Sequence, residues 1–313
     1  MNEVNSLLDR VKQTAAILAL STMAVLTSEG AEACGFHDCP MGGPKSRSKL
    51  SSSTETGDQV LSSQSSDWGI HAFEMTLDTA ILAFARDRNA LEGWIFEEGF
   101  SVSVTVHPRL SLGVSAGYQW VNPDDKRWPG NSVRGFANPL VSAQVELWSR
   151  TSFALTSGLQ VEIPIGSKYV GVAEEHWEAF PYLTGSWSKQ SWELSGSVGY
   201  RESFSDHNHG VDDEHPANAV LVGAYVDPHA AKEWLTRLEL GWRAKSGQVG
   251  LSIYIDGMFP TLEDDLSAYG EVGAAFDTTL TETLSLELSL GAGICGDDLR
   301  APWRTGFSLG YSG

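Results

Sequence analysis

Between Phe96 and Trp120 the chain alternates apolar and polar residues straight through a turn, and this restricts its fold more than any other feature. The even positions run Phe96, Glu98, Phe100, Val102, Val104, Val106, then Leu110, Leu112, Val114, Ala116, Tyr118 and Trp120. The odd positions run Glu97, Gly99, Ser101, Ser103, Thr105, then Ser111, Gly113, Ser115, Gly117 and Gln119, with His107-Pro108-Arg109 as the break. A period of two held on both sides of a turn is a β-hairpin. One face is aliphatic with aromatics near its ends, and the other is small and polar. Strands of about 9–11 residues with an apolar outer band, aromatic rims and a polar inner face are what a membrane-spanning β-barrel requires.

The pattern recurs along the chain. Phe73, Met75 and Leu77 alternate with Glu74, Thr76 and Asp78; Val141, Ala143, Val145 and Leu147 alternate with Ser142, Gln144 and Glu146. Phe153–Ile165, Trp177–Trp187, Trp192–Tyr200, Trp234–Trp242, Leu284–Ile294 and Trp303–Tyr311 continue it, and Ala219–Val226 is a weaker strand. A soluble β-sandwich alternates too, but its outer side is rich in Lys, Glu and Thr. Here the polar side is Ser, Gly, Thr and Gln, and Tyr118, Trp120, Trp148, Trp192, Tyr200 and Trp303 stand at strand ends, where a membrane interface would be. The expected fold is all-β: an antiparallel transmembrane β-barrel of about 12 strands.

A literal count gives about thirteen strands, whereas a single-chain bacterial barrel with both ends in the periplasm needs an even number. Short turns at 107–109, 149–151, 188–191, 227–233 and 278–283 are assigned to the periplasm. Their parities clash only between Trp234 and Phe276, so Val249–Asp256, followed by the acidic loop Gly257–Asp265, is expected not to span. Val121–Asn138, Gly166–His176, Glu202–Pro216 and Cys295–Pro302 are then outer loops.

Arg10 and Lys12 before the apolar run Ala15–Leu26, with Ala31-Glu32-Ala33 at the cleavage positions, read as a secretory signal over residues 1–33; a retained N-terminal helix is the alternative. Residues 34–66, with Pro40, Gly42, Gly43, Pro44 and many serines, read as a flexible periplasmic linker, and residues 67–313 as the barrel. Lipidated, disulfide-bonded and free forms of Cys34 are all compatible with the sequence. No apolar run long enough for a membrane helix follows the N-terminal region, and the formal charge of -19 speaks against nucleic acid as a partner.

The segments Glu97–Phe100, "HPRLSLGVSAGY" (His107–Tyr118), "GFANPLVSAQVELW" (Gly135–Trp148), "GLQVEIPIGSK" (Gly158–Lys168) and "YGEVGAAFDTTLTETLSLELSLGAG" (Tyr269–Gly293) resemble the outer-membrane family named for the meta-pathway of phenol degradation. The likeness covers most of residues 94–313. Phe136-Ala137-Asn138 stands where that family usually has a Gly-Asp pair, and the chain ends Tyr311-Ser312-Gly313 rather than on an aromatic. The resemblance implies passive transport of small, often hydrophobic or aromatic compounds across a Gram-negative outer membrane, with lipid and a small solute as partners.

Inward-facing charges are the first candidate site: Glu97, Glu146, Glu162, Glu193, Glu239, Glu271 and Glu287 with Arg201, Arg237, Arg243 and Arg304. Charged rings in a lumen set ion selectivity, and the acidic excess favours cations or polar neutral solutes. Equally, Glu–Arg networks fill and brace a narrow barrel. His207, His209 and His215, among the carboxylates of the loop 206–215, offer imidazoles for a divalent metal such as zinc, although the spacing matches no metalloprotease or calcium-loop motif. That loop gives the rival reading of a closed structural or metal-binding barrel.

Cys34 and Cys39 flank a short segment with His37 and Asp38 that could close as a disulfide loop. Gly291-Ala292-Gly293-Ile294-Cys295-Gly296 spells GxGxxG but ends a period-2 strand and precedes no helix, so no nucleotide cofactor is expected. Glu174-Glu175-His176 near Ser167 is the nearest thing to a hydrolytic set; no spacing marks a nucleophile, and the chain is not expected to be an enzyme.

Overall fold

The computed structural model describes residues 68–86, 91–123, 132–166, 177–204, 232–261, 268–295 and 303–313. The strands are β1 (Ala72–Arg86), β2 (Leu91–His107), β3 (Leu110–Pro123), β4 (Val133–Phe136), β5 (Leu140–Arg150), β6 (Phe153–Glu162) and β7 (Glu178–Lys189). They continue as β8 (Trp192–Ser203), β9 (Lys232–Arg243), β10 (Val249–Pro260), β11 (Tyr269–Thr279), β12 (Leu284–Cys295) and β13 (Arg304–Ser312). Every pairing is antiparallel, and β1 bonds both β2 and β13, so the sheet closes on itself. Closure satisfies the backbone N–H and C=O groups that an open edge would leave bare in lipid.

The short β4 pairs with β3 at Tyr118–Val121, and β5 pairs with the same strand at Leu110–Ser115. From Ser115 to Tyr118 β3 advances three residues while its partner advances four, from Leu140 back to Phe136. β4 and β5 are therefore one stave with a bulge at Ala137-Asn138-Pro139, and the wall is a closed antiparallel barrel of twelve staves. Asn138 holds the bulge in place. Its Nδ2 donates to Glu162 Oε1 at 2.8 Å, and its Oδ1 accepts from the Gly166 amide at 2.8 Å.

Alternation sorts the two faces. Leu77, Phe100, Val114, Val141, Leu159, Leu183, Ile253, Leu288 and Leu290 are exposed on the outside, while Glu97, Gln119, Gln160, Arg201, Asp256 and Glu271 of the opposite parity are buried. An exposed apolar band of this extent is a lipid-facing surface. Aromatics bound it at both ends: Trp192 faces Trp242 across β8–β9, and eight residues further along Tyr200 faces Trp234. Eight residues of strand span about 27 Å, or about 20 Å of membrane depth at a tilt near 40°. That is close to the hydrophobic thickness of an outer membrane. Arginine at Leu290, the middle of β12, should cost about 2–4 kcal/mol in refolding into a bilayer, whereas arginine at the inward neighbour Ser289 should cost much less. Denaturant titration of the two variants in vesicles reads the difference.

Both ends of the barrel sequence and five short turns lie at one rim. The turns after β2, β5, β7, β9 and β11 take only a few residues each, which marks this rim as periplasmic. All six interruptions in the described chain fall between strand ends at the opposite, outer rim.

Four expectations from the sequence need correction. Val249–Asp256 is not a non-spanning piece: it belongs to β10, which pairs along its length with β9 and β11. β8 bonds β9 directly from Trp192 to Glu202, so no strand lies between them in the sheet, and Ala219–Val226 falls outside the described residues. Of the expected periplasmic turn 227–233, Lys232 and Glu233 are the first residues of β9, at its outer end, and the rest lies outside the described residues. The expected outer loop Val121–Asn138 contributes the last turns of β3 and all of β4 to the wall. Residues 1–67, including Cys34 and Cys39, lie outside the described residues.

Candidate functional site

The inner face changes character along the barrel axis. In the periplasmic half much of it is small, with Ser101, Ser103, Ser115, Ser142, Ser195, Ser197 and Ser252 half-buried among glycines, and charges such as Arg243 and Asp277 stand near the rim. In the outer half it carries large side chains, of which Glu271 is 1% exposed, Glu233 2%, Arg201 3%, Tyr254 3% and Phe180 3%. Small hydroxyls cannot fill the interior of a twelve-stave barrel, which stands between the filled eight-strand barrels and the open sixteen-strand porins. Long side chains reaching in from several staves can. The outer half is where the path is narrow.

Every interior charge named from the sequence has the inward parity, and the arginines form clusters with some of them on β7–β13. Arg201 Nη1 stands 3.2 Å from Glu233 Oε1, and its Nε is 3.8 Å from Glu178 Oε2; all three groups are almost fully buried. The nearer contact is an ion pair by distance whose N–H does not point at that oxygen. Ser203 Oγ donates to Glu178 at 2.7 Å. Arg237 bridges Asp256 Oδ2 at 3.0 Å and Glu239 Oε2 at 3.1 Å, and its guanidinium lies over the Tyr254 ring, 4.3 Å from the centroid. Tyr254 donates its hydroxyl to Glu271 Oε1 at 2.9 Å, and Arg304 Nε comes within 3.6 Å of the same oxygen. Arg243 binds Asp277 Oδ2 at 2.9 Å near the periplasmic rim.

The other candidates stay apart from these arginines or only near them. Glu97 accepts from Gln119 Nε2 at 2.9 Å and Glu162 from Asn138, both on the β2–β6 wall. Glu146 lies across from Thr156 at an irregularity of β5, Glu193 across from Ser188, and Glu287 across from Asp277. Sequence reasoning missed Glu178, Glu233, Asp256, Asp277, Tyr254 and Tyr269. Glu233 could have been found, because it keeps the parity of Arg237 and Glu239 on β9.

Several interior rings lie flat on the wall. Phe180 and Tyr182 stack with centroids 5.7 Å apart, and side chains added at Gly199, Gly158 or Gly273 would run into Phe180, Tyr182 or Tyr254 respectively. These glycines let a ring rest against a neighbouring stave, and at Tyr254 the Arg237 guanidinium covers the opposite face. The wall thus sets aromatic rings beside carboxylate acceptors.

His207, His209 and His215, proposed for a divalent metal, lie outside the described residues, as do Ser167 and Glu174–His176. Among the described residues no group of three His, Cys, Asp or Glu side chains is arranged to hold a metal. Gly291–Cys295 is antiparallel strand at the end of β12, with a register shift against β11 beside Gly270-Glu271, and Cys295 is a half-buried free thiol.

Comparison with known proteins agrees with this architecture. An outer membrane channel from Pseudomonas putida F1 superposes with a TM-score of 0.60 at 10% identity, covering 82% of this chain and all of that one. The NanC porin gives 0.49 at 7% identity over 75% of this chain and 97% of that one, and the β-domain of the Bordetella autotransporter BrkA gives 0.47 at 14% over 76% and 98%. At such identities the likeness is one of fold. No curated protein matches the sequence. The pattern of a family described as "Putative MetA-pathway of phenol degradation" matches residues 53–225. Matched over more than half its length, this outer-membrane barrel belongs to the MetA-pathway family of phenol degradation.

Proposed function

We propose that the barrel is a passive channel for small solutes, and that compounds with an aromatic ring and a hydroxyl are the class its interior suits best. The observation that carries this is the placing of interior aromatic rings beside hydrogen-bond acceptors. Tyr254 and Tyr269 both reach Glu271 on β10–β11, and Phe180 and Tyr182 stack on β7, where the Tyr182 hydroxyl reaches Gln144. A small phenol-like molecule could stack on such a ring while donating its hydroxyl to a carboxylate. The family's description, which refers to phenol degradation, supports the same class. Acidic groups outnumber the arginines they surround, as with Glu178 and Glu233 at Arg201, so cations pass more readily than anions. No chemical step is assigned to the chain.

The rival is a barrel closed by the same large side chains, with deep burial of Glu271 and Leu235 in its favour. Purified protein in a planar bilayer separates the two. Stepwise conductance with a reversal potential favouring potassium over chloride, and transient block by added phenol, is expected. Conductance without block would keep the channel and remove the aromatic solute. No current with any ion would leave only the closed barrel.

A further inference from the structure

The periplasmic rim carries a feature that the channel reading does not use. Its five hairpin turns run β2–β3, β5–β6, β7–β8, β9–β10 and β11–β12, and the first four carry Arg109, Arg150, Lys189 and Lys245 in turn. All four side chains are exposed. The fifth turn carries Glu282. In a chain of formal charge -19 this is a marked segregation of positive charge.

These cations differ from the interior arginines in their pairing, as does Arg134 at the outer rim. Arg201, Arg237, Arg243 and Arg304 each have a carboxylate within 4.0 Å, and at the outer rim Lys232 reaches Glu202 at 4.0 Å. Arg109, Arg150, Lys189 and Lys245 have no such partner among the described residues. They are spread along the rim from β2 to β10 and are exposed there, whereas the interior arginines are bonded to carboxylates.

Their depth points to what they meet. Each stands just outside the aromatic belt that marks the membrane interface: Arg150 beside Trp148, Lys189 between Trp187 and Trp192, Lys245 beyond Trp242, and Arg109 beside His107, which packs on Trp68 at 5.4 Å. The Arg150 guanidinium lies 5.3 Å from the Trp148 ring centroid. A cation one to three residues beyond interfacial tryptophans lies at the level of lipid phosphates and reaches them by snorkelling along its own stem. We propose that this rim is a binding ring for the phosphodiester headgroups of anionic phospholipids in the periplasmic leaflet. The inference needs the barrel to lie in the membrane with its short turns toward the periplasm, and it holds whether or not the lumen conducts.

Tryptophan quenching by brominated lipid tests it, in vesicles of phosphatidylethanolamine with increasing brominated phosphatidylglycerol. The wild-type barrel should prefer the anionic lipid by about fivefold, the ratio that one Lys or Arg at an anionic surface supplies. The variant R109Q/R150Q/K189Q/K245Q should bring the ratio near one while still showing the heat-modifiable band of a folded barrel. Single glutamine variants give graded losses if the fourfold one inserts poorly. R134Q/K232Q, at the outer rim, should leave the ratio unchanged. A wild-type ratio near one, or an equal loss in the outer-rim control, overturns the proposal. So does a preference abolished by inorganic phosphate at matched ionic strength, which would mark a site for free anions rather than lipid.

Discussion

Replacement of Arg201 by methionine should cost the barrel about 3–5 kcal/mol, the loss typical of removing one partner from a buried ion cluster. Glu178 and Glu233 are 5% and 2% exposed, and Arg201 lies between them. Without the guanidinium, two carboxylates remain buried on the staves that flank β8, with only their other partners, such as Ser203 at Glu178, to hold them. Neutralising both should recover most of the loss, because glutamines need no counter-charge. R201M/E178Q/E233Q is therefore expected to be more stable than Arg201→Met alone, although it carries more substitutions. Arg201→Lys should fall between the two, since an ammonium keeps the charge but not the fork of donors. Urea titration of protein folded in vesicles measures all three. A triple variant no better than the single one would mean that the cluster is hydrated and screened, and that the outer half of the lumen is wider than its burial indicates.

Much of this arrangement was readable in the sequence, because a barrel wall writes its two faces directly into odd and even positions. Glu97 and Gln119 share a parity in the Phe96–Trp120 hairpin, and they meet inside at 2.9 Å. Arg237, Glu239 and Arg243 share another, and all three turn inward. Readability failed where the contrast between faces is weak. On β10 the outward Leu251, Ile253 and Ile255 alternate with Tyr254, Asp256 and Met258, and the inward set is itself large and mostly apolar. The period-2 signal fades there, and Asp256-Gly257 followed by Pro260 imitates a loop. Losing β10 hid Tyr254 and Asp256, two of the groups around Arg237. It also left the surplus strand to be blamed on the wrong segment, since Ala219–Val226 is apolar enough to pass for a stave.

Partners across staves were harder to foresee than inward parity. Which arginine meets which carboxylate depends on register, and register comes from turns and bulges far from the charged groups. Arg237 meets Asp256 because Asp256 stands directly opposite it on β10, and Arg201 meets Glu233 by the same rule across β8–β9. The bulge at Ala137-Asn138-Pro139 overlaps Phe136-Ala137-Asn138, a place inside the wall where the sequence departs from the pattern it resembles. Asn138 shows what a short polar side chain does there, tying the kinked stave to the end of β6 through Glu162 and Gly166.

Gly273→Val should lower single-channel conductance by about twofold or more, and Tyr254→Ala should raise it by a similar factor, if the Tyr254 ring helps to set the width of the path. The ring is held between two layers. On one side it lies across Gly273, directly opposite on β11, where any added side chain would run into the ring. On the other side the Arg237 guanidinium covers it at 4.3 Å, with Glu239 and Asp256 bonded to that guanidinium. A valine at position 273 must push the stack toward the axis, and overpacking of this kind costs about 1–3 kcal/mol. The displaced ring also loses its 2.9 Å bond to Glu271. Gly158→Val is the matched control, because Tyr182 rests on Gly158 in the same manner while its hydroxyl reaches only Gln144, at 3.4 Å. It should cost similar stability without disturbing the arginine cluster, so the ion selectivity of the remaining current should stay at the wild-type value in Gly158→Val and shift in Gly273→Val. Equal conductance in wild type and a folded Gly273→Val barrel would show that ions pass elsewhere in the lumen, and the narrow zone would have to be sought on the β2–β6 wall around Glu97 and Glu162.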